Sequence, residues 1–254
     1  MANIKDIHNL RIVTVSPPYD TWKNLLAREL FNQAIDVRLR GFAKEYPYGV
    51  MPIDTSDFIA HHNLVCLDHG SEQSLEVLSA FKTVALKKCQ THNVPFPALS
   101  LVKLAGTPDH VRAVEDIMEN ALENKKELVY MASYTMKPQV RNNPVLLRKL
   151  REIFNAMYSL TNLANGFDEI LVGGTMRFKM HERFARIGHS PLSLDGEELP
   201  PIHVEHLAKE QVQVMHLNAF SKEARAMAEP WLELWNQRIN IQAANENENL
   251  KLAG

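Results

Sequence analysis

Apolar residues recur at every second position in some stretches of this chain and at every third or fourth position in others. The first pattern predicts strands, and the second predicts helices that pack on a sheet by one face. Strands are predicted at 10–15, 63–68, 76–86, 127–136, 167–172 and 211–217. Helices are predicted after Pro17-Pro18, at 109–124, from Asn143 to Gly166, over the basic turn closed by Gly188, and at 221–241 with a break at Pro230. The proline-rich stretch 89–108 is predicted to be irregular.

The stretch 127–136 has the composition of a central strand, because both of its faces are nearly uncharged. Strict alternation places Leu128, Tyr130, Ala132, Tyr134 and Met136 on one face, and Glu127, Val129, Met131, Ser133 and Thr135 on the other. The helix that follows has a clear start, since an asparagine at 143 can cap it and the proline at 144 suits its first position. The strand at 167–172 is predicted to end at two glycines, 173 and 174, where another backbone or a ligand can approach closely.

Composition adds several limits. The 254 residues, 45% hydrophobic and 23% charged, can bury a large core. The formal net charge of −2 comes from interspersed charges of both signs, so we expect no nucleic-acid partner. Cys66 and Cys89 do not form a metal-binding pattern, which favours a reduced, cytoplasmic protein. The sequence has no signal-peptide pattern and no apolar run near the ~20 residues of a membrane span, so we expect neither.

Four fragments resemble one acyltransferase superfamily: DVRLRGF at 36–42, PIDTSDFIAHH at 52–62, SYTMKPQVRNNPVLLRKL at 133–150 and HERFARIGHSPL at 181–192. With the order of elements, they are similar to the Gcn5-related N-acetyltransferases, in the branch of acyl-homoserine lactone synthases and long-chain N-acyl amino acid synthases. The resemblance implies an α/β (α+β) fold with a mixed, mostly antiparallel central sheet flanked by helices. An N-acyltransferase-like domain is expected over 1–195, with a C-terminal extension over 196–254 packing on it and a frayed tail from about 243.

The resemblance implies transfer of a fatty acyl group from a thioester to the amine of a small metabolite such as an amino acid. In that branch an arginine near the end of the first helix precedes two aspartates and an alanine-histidine pair. Arg38, Asp54, Asp57 and His61 match that pattern and are expected to bind the acceptor. The two aspartates are equally well explained as turn-forming residues of a loop.

The loop that would bind the acyl donor differs from that of the superfamily. Its usual pyrophosphate loop has glycines at a helix start, whose bare amides hold phosphate. Here Pro144 and Leu146 occupy those positions, and proline has no amide donor. We therefore expect acyl carrier protein rather than coenzyme A as partner, an acyl-phosphopantetheine thioester as donor substrate, and no tightly bound cofactor. The residues expected at the donor are Arg141, Asn142, Asn143 and Arg148.

Aminolysis of a thioester needs a neutral amine, a stabilised oxyanion and a protonated leaving thiolate. The fold implies that backbone amides from Ser133 to 135 serve the oxyanion, and Tyr134 is a candidate for protonating the thiolate. Glu127 and His62 are candidates for the base. A solvated strand end, a surface histidine and a core tyrosine are the corresponding structural explanations.

The sequence argues against lactone synthesis. The lactone synthases carry Glu-x-Ser-Arg on the central strand, whereas residues 131–134 read Met-Ala-Ser-Tyr.

Two other functions compete with acyl transfer. The lost motifs also fit a catalytically inactive, acyltransferase-like protein that binds a lipid or a partner. His203, Glu205, His206 and His216 suggest a metal-dependent hydrolase, but we predict no metal site. The region after Pro200 could form a lid, an added strand pair or a dimer contact, so a homodimer stays open.

Overall fold

A computed structural model of the chain describes residues 9–46, 53–70 and 75–243. The strands are β1 Leu10–Val15, β2 His61–Asp68, β3 Leu75–Ala85, β4 Leu128–Met136, β5 Glu169–Thr175, β6 Ser190–Pro191, β7 Ser193–Leu194, β8 Glu197–Glu198, β9 Ile202–Val204, β10 Glu210–Leu217 and β11 Ile239–Ile241. The helices are α1 Pro18–Thr21, α2 Leu25–Glu45, α3 Ser56–Ile59, α4 Leu86–Thr91, α5 Pro97–Ala105, α6 Pro108–Glu123, α7 Pro144–Ala164, α8 Met180–Ile187, α9 Lys222–Ala228 and α10 Leu232–Asn236. Short 3-10 helices lie at Pro138–Asn142, Glu205–Leu207 and Glu229–Trp231.

The main sheet has the strand order β11-β1-β2-β3-β4-β5-β10-β6, with β9 paired to β10. The β4–β5 and β1–β11 pairs are parallel, and the other pairs of this sheet are antiparallel. The predicted mixed, mostly antiparallel sheet flanked by helices is therefore confirmed. The segment after residue 195 adds β10 beside β5 and β11 beside β1. The predicted frayed tail lies outside the described residues from 244 onward.

Each face of the sheet is covered by its own helices. On one face α7 buries Leu150, Ile153 and Met157 in a cluster with residues of β4 and β5. On the other face α2 packs over β1 to β3, and α5 and α6 pack over β4, β5 and β10. Burying each large aliphatic side chain contributes roughly 1.5–3 kcal/mol, so the sheet is fixed between two apolar layers.

Several predicted elements differ from the observed ones. The stretch 89–108, predicted to be irregular, contains the whole of α5, because Pro97 occupies the first helical position and does not interrupt the helix. The predicted helix at 221–241 is divided at Pro230 into α9, a 3-10 helix, α10 and β11. The start of α7 is as predicted, since Asn143 Oδ1 accepts a hydrogen bond from the Leu146 amide at 3.1 Å. The loop predicted between β2 and β3 lies partly outside the described residues.

A β-bulge on β4 changes the faces predicted for that strand. The register with β3 shifts there, so that Ser133 and Tyr134 together oppose the single residue Phe81. Ser133 adopts the left-handed conformation, with φ of 63°. Because one extra residue reverses the alternation, Tyr134 and Met136 lie on the α7 face, opposite to Ala132. Strict alternation is therefore wrong beyond Ala132.

The strands β4 and β5 separate next to this bulge. They pair only from Leu128 with Glu169 to Met131 with Val172. Beyond that point β4 continues with β3 as its partner, and β5 continues with β10. The sheet consequently has a gap at its centre.

Gly174 allows close backbone contact at this gap. A Cβ at Gly174 would lie 2.8 Å from both the backbone nitrogen and the Cα of His181, at the start of α8. The predicted close approach is thus confirmed, although β5 continues through both glycines to Thr175. In the described part of the chain, no helix has the length and apolar character that crossing a bilayer requires.

This contact predicts a difference between two adjacent glycines. Gly174→Ala should lower the free energy of unfolding by about 1–3 kcal/mol, since the added methyl group meets backbone that cannot move alone. Gly173→Ala should cost less, because its nearest neighbour is the Val212 side chain at 3.0 Å. Urea denaturation of both variants measures the difference. An equal or larger loss for Gly173→Ala would contradict the role assigned to this contact.

Candidate functional site

A cavity of about 410 Å³ lies in the gap between β4 and β5. Small-molecule sites are commonly about 300–1,000 Å³ in volume, so it can hold a ligand of that size. Apolar side chains from both layers line it: Leu147, Met180 and Phe184 from the α7 face, and Leu101, Val204 and Leu207 from the other. The cavity therefore crosses the sheet.

The bulged part of β4 forms one wall of this cavity. Ser133 and Tyr134 both line it. The Tyr134 ring stacks on Phe154 with centroids 3.7 Å apart, which fixes its plane. Burial raises the pKa of the Tyr134 hydroxyl, and the charges of Arg183 and Arg151 offset this only partly. The phenol therefore keeps its proton at neutral pH.

Three arginines, named here the rim arginines, also line the cavity: Arg141, Arg151 and Arg183. Glu45 is the one carboxylate among the described lining residues, so three positive charges face one negative charge. Glu45 forms ion pairs with Arg141 and with Arg177, the latter at 3.0 Å. The lining thus has an excess of positive charge.

Two of the rim arginines, Arg151 and Arg183, form no ion pair with a carboxylate in the described part of the chain. Arg183 makes long hydrogen bonds to the Arg151 carbonyl at 3.4 Å and to Asn155 Oδ1 at 3.5 Å. Burial lowers the pKa of Arg183, and the charge of Arg151 lowers it further. Arg151 itself is exposed. An anionic ligand group would relieve this mutual repulsion.

Behind the bulge lies a buried cluster of charges. Arg38 donates to both oxygens of Asp57, at 2.5 Å and 2.7 Å, and Lys82 Nζ donates to Asp57 Oδ1 at 2.8 Å. Arg38, Asp57 and Lys82 are each at most 5% exposed. Arg38 Nη1 also lies 3.5 Å from the Ser133 hydroxyl, which connects the cluster to the bulge.

The cluster fixes the ionisation of Asp57. Burial by itself would raise the pKa of this carboxyl group, but the hydrogen bonds and charges of Arg38 and Lys82 outweigh it and lower the pKa to about 2. Asp54 is organised around the same group, because its amide donates to Asp57 Oδ2 at 3.0 Å and its Oδ1 accepts from the Ser56 amide at 2.8 Å. Asp54 therefore has the turn-forming contacts that were one of its two predicted explanations.

The two adjacent histidines do not line the cavity. His62 is buried, its Nε2 lies 2.8 Å from the Asp57 carbonyl, and its ring packs edge-on against Phe31. Burial lowers the pKa of His62 to about 4. His61 packs against Phe167, and burial lowers its pKa as well. Both are placed in the α3–β2 region beside Asp57.

Other predicted residues are distributed around the gap. Glu127 lies before the paired start of β4, away from the bulged end, and forms an ion pair with Lys87 at 3.3 Å. Asn143 uses its side chain to cap α7, and Asn142 is exposed. Arg148 has a side chain 74% exposed and lies 3.9 Å from Glu152. Of the predicted donor residues, Arg141 alone is among those lining the cavity.

The histidines that suggested a metal site have different partners in the structure. His203 Nδ1 lies 3.3 Å from the Lys209 carbonyl, and His216 Nε2 lies 2.8 Å from Glu169. Within the described ranges, no group of three or more His, Cys, Asp or Glu residues could hold a metal ion. His206 lines the cavity together with Val204 and Leu207. Sequence reasoning noted it only as a metal candidate, because no local pattern shows that its segment reaches the central gap.

The fold has counterparts among solved structures. The chain is similar to a CoA-dependent acyl-homoserine lactone synthase, BjaI, determined with SAM and isopentyl-CoA, at 13% identity and a TM-score of 0.54, over 93% of this chain and 95% of that one. This protein has the acyl-CoA N-acyltransferase fold. The BjaI structure with MTA gives a TM-score of 0.51 at 13% identity, covering 93% and 95%.

A further structure in this fold group is FeeM, an N-acyl amino acid synthase from uncultured soil microbes, at 11% identity, 82% and 91% coverage and a TM-score of 0.46. No protein-family profile and no curated protein matches the chain. The acyl-CoA N-acyltransferase fold hosts many substrates, so function has to be argued from the site.

The buried charge cluster predicts a specific loss of stability. Asp57→Asn leaves two cations buried beside a neutral amide, so the free energy of unfolding at pH 7 should fall by about 3–5 kcal/mol. Because the folded pKa of about 2 lies below the usual 3.8, Asp57 stabilises the protein above pH ~4, and this contribution is lost as the pH falls toward 2. Urea denaturation at pH 7 and pH 3 should show the variant and the wild type converging. Asp54→Asn, at a side chain 51% exposed, is the control and should cost under about 1 kcal/mol; equal losses for both would contradict the prediction.

Proposed function

We propose that this protein is an N-acyltransferase that moves an acyl group from a phosphopantetheine thioester to the amine of a small acceptor such as an amino acid. The observation that supports it most is the bulged strand β4 beside a cavity that crosses the sheet. An extended thioester can lie in the gap between β4 and β5 with its acyl chain among the apolar lining residues. The reacting carbonyl is then beside the bulge.

The bulge supplies the proposed oxyanion site. A bulge re-aims backbone groups next to a functional site, and backbone amides at fixed positions stabilise developing negative charge. We assign this role to the amides from Ser133 to 135. The carbonyl oxygen gains charge when the amine attacks, so these donors act in the transition state rather than in the bound substrate.

Tyr134 is the proposed acid. It lines the cavity, its ring is held by Phe154, and its raised pKa keeps the hydroxyl protonated. When the carbon–sulfur bond breaks, the leaving thiolate takes this proton. The role predicted from sequence therefore stands as a proposal with a geometric basis.

The acyl group is proposed to pass directly to the amine. The two cysteines are buried free thiols, and neither is among the lining residues. Burial raises the pKa of Cys89 to about 12 and raises that of Cys66 as well, so neither forms a thiolate at neutral pH. Donor and acceptor must therefore occupy the cavity together.

The rim arginines are the proposed site for the phosphate of the donor. Proline at 144 supplies no amide, and the Leu146 amide is used by the Asn143 side chain, so the start of α7 offers fewer backbone donors than a glycine loop. Guanidinium groups replace them with charge and paired donors. Arg148, on the exposed side of α7, is proposed to face the acidic surface of acyl carrier protein.

The buried cluster has a positioning role in this proposal. Both carboxylate oxygens of Asp57 already accept hydrogen bonds, from Arg38, Lys82 and the Asp54 amide, so Asp57 is not assigned to an acceptor ammonium group. We assign Arg38 and Asp57, with Asp54 and His61, to holding the α3–β2 segment and the bulge in place. The acceptor is proposed to bind elsewhere along the cavity.

The main test is consumption of a thioester. Purified protein should release free thiol from acyl carrier protein or coenzyme A loaded with long acyl chains only when an amine from a panel including amino acids is present. The variant Ala132→Trp places a large side chain in the gap and should lose at least ~90% of this rate. A 10-fold loss in rate corresponds to a rise of only about 1.4 kcal/mol in the activation free energy. If no donor is consumed with any amine, the enzymatic proposal is wrong. An acyl ligand retained without turnover, seen by native mass spectrometry, would favour the inactive binding protein.

The phosphate site predicts a dependence on the donor. Arg151→Gln or Arg183→Gln should raise KM about 10-fold or more for acyl-phosphopantetheine donors, since a charge-assisted hydrogen bond contributes about 1.5–3 kcal/mol. KM for acyl-pantetheine, which has no phosphate, should be unchanged. Arg186→Gln is the matched control for Arg183→Gln. Arg186 lies on the same helix as Arg183, α8, and pairs with Glu223 outside the cavity. Equal effects on both donors would contradict phosphate binding at this rim.

A further inference from the structure

The reaction proposed above needs a group that takes a proton from the attacking amine. Among the described lining residues, the groups that could accept one near neutral pH are Glu45 and His206. Glu45 is held by Arg141 and Arg177, and such pairing makes a carboxylate a weaker base. His206 is the remaining candidate.

The ring of His206 is available for proton transfer. It is half-buried in the 3-10 helix Glu205–Leu207, and within the described ranges its ring nitrogens make no hydrogen bond. The neighbouring histidines differ, because His203 is exposed and His216 is bound to Glu169. Burial lowers the pKa of His206 below the usual 6.5, so the ring is neutral at pH 7 and can accept a proton.

The charged groups around the cavity do not change this conclusion. Glu45, Tyr46 and Tyr130 face the cavity from α2 and β4, and the rim arginines and Tyr134 face it too. Burial is the cause of the lowered pKa of His206.

His206 also lies on a different side of the sheet from Arg151 and Arg183. Leu207 and Val204, its neighbours, belong to the apolar layer of α5 and α6. Arg151 and Arg183 come from α7 and α8, on the other face of the sheet. A donor held by Arg151 and Arg183 and an acceptor beside His206 would therefore reach the gap from opposite faces and meet at the bulge.

We propose that His206 is the general base of the acyl transfer and that the acceptor is a small primary amine bound on its side of the sheet. This proposal rests on the function proposed above. The neutral amine attacks the carbonyl carbon, a carbon–nitrogen bond forms, and His206 takes the proton that the nitrogen loses. The carbon–sulfur bond then breaks, and the thiolate takes a proton from Tyr134. Transfer of a proton from His206 to Tyr134 through solvent restores both groups.

The test is the pH profile of single-turnover acyl transfer at saturating amine. In the wild type the rate should rise with pH through a midpoint below 6.5, because the base must lose its proton. His206→Gln should lower the rate about 10²–10⁴-fold and abolish that limb. His206→Ala should recover part of the rate when imidazole is added. His203→Gln, three residues away and exposed, should keep the wild-type rate and profile.

A second measurement separates catalysis from structure. Affinity for a ketone analogue of the donor, with CH₂ in place of the thioester sulfur, should be unchanged in His206→Gln. The proposal would be overturned if His206→Gln were slow but kept the wild-type pH profile and imidazole did not rescue His206→Ala. It would also be overturned if His206→Gln kept the full rate. A wild type that consumes no thioester would instead refute the proposed function, so the two failures can be distinguished.

Discussion

The separation of β4 from β5 is the constraint on which the rest of the molecule depends. Each strand has two edges, and beyond Met131 and Val172 the backbone groups of β4 and β5 are committed to β3 and β10 on their outer sides. Their inner edges then face the cavity, and the bulge at Ser133 begins where the parallel pairing stops. The cavity, the excess positive charge at its rim and the placement of His206 all depend on this gap.

The arrangement of the chain at the gap is held by groups that lie beside the cavity and do not line it. Arg38 and Lys82 are buried next to the bulged strand, and both pair with the buried carboxylate of Asp57. A buried ion pair of this kind contributes little net stability, but removing one partner is costly, so it holds the α3–β2 segment in one arrangement. This explains why residues that resemble an acceptor-binding motif by sequence have contacts that serve the architecture.

The sequence alone predicted the order of strands β1 to β5 and β10 and the position of α7, because strands such as β4 and helices such as α7 have strong periodicity and local start signals. It did not show the bulge, since Ser133 carries no pattern that distinguishes a left-handed residue from a regular strand residue. It also placed α5 in a proline-rich stretch predicted to be irregular, although Pro97 occupies the first position of that helix. Arg151, Arg183 and His206 were missed as a set, because they come from three distant segments that only the tertiary structure brings to one cavity. Arg141 was found, since it lies two residues before the cap of α7.

The backbone contact between Gly174 and His181 has a consequence for the donor proposed above. Because the start of α8 touches β5 without intervening side chains, the main chain fixes where the Arg183 side chain begins relative to the strand gap. In the proposed phosphopantetheine donor, covalent structure sets the greatest distance that can separate the phosphate from the thioester. Under that proposal, a donor whose linker is too short to join Arg183 to the bulge would be excluded. This limit would act independently of the acyl chain, whose fit would depend on the apolar lining.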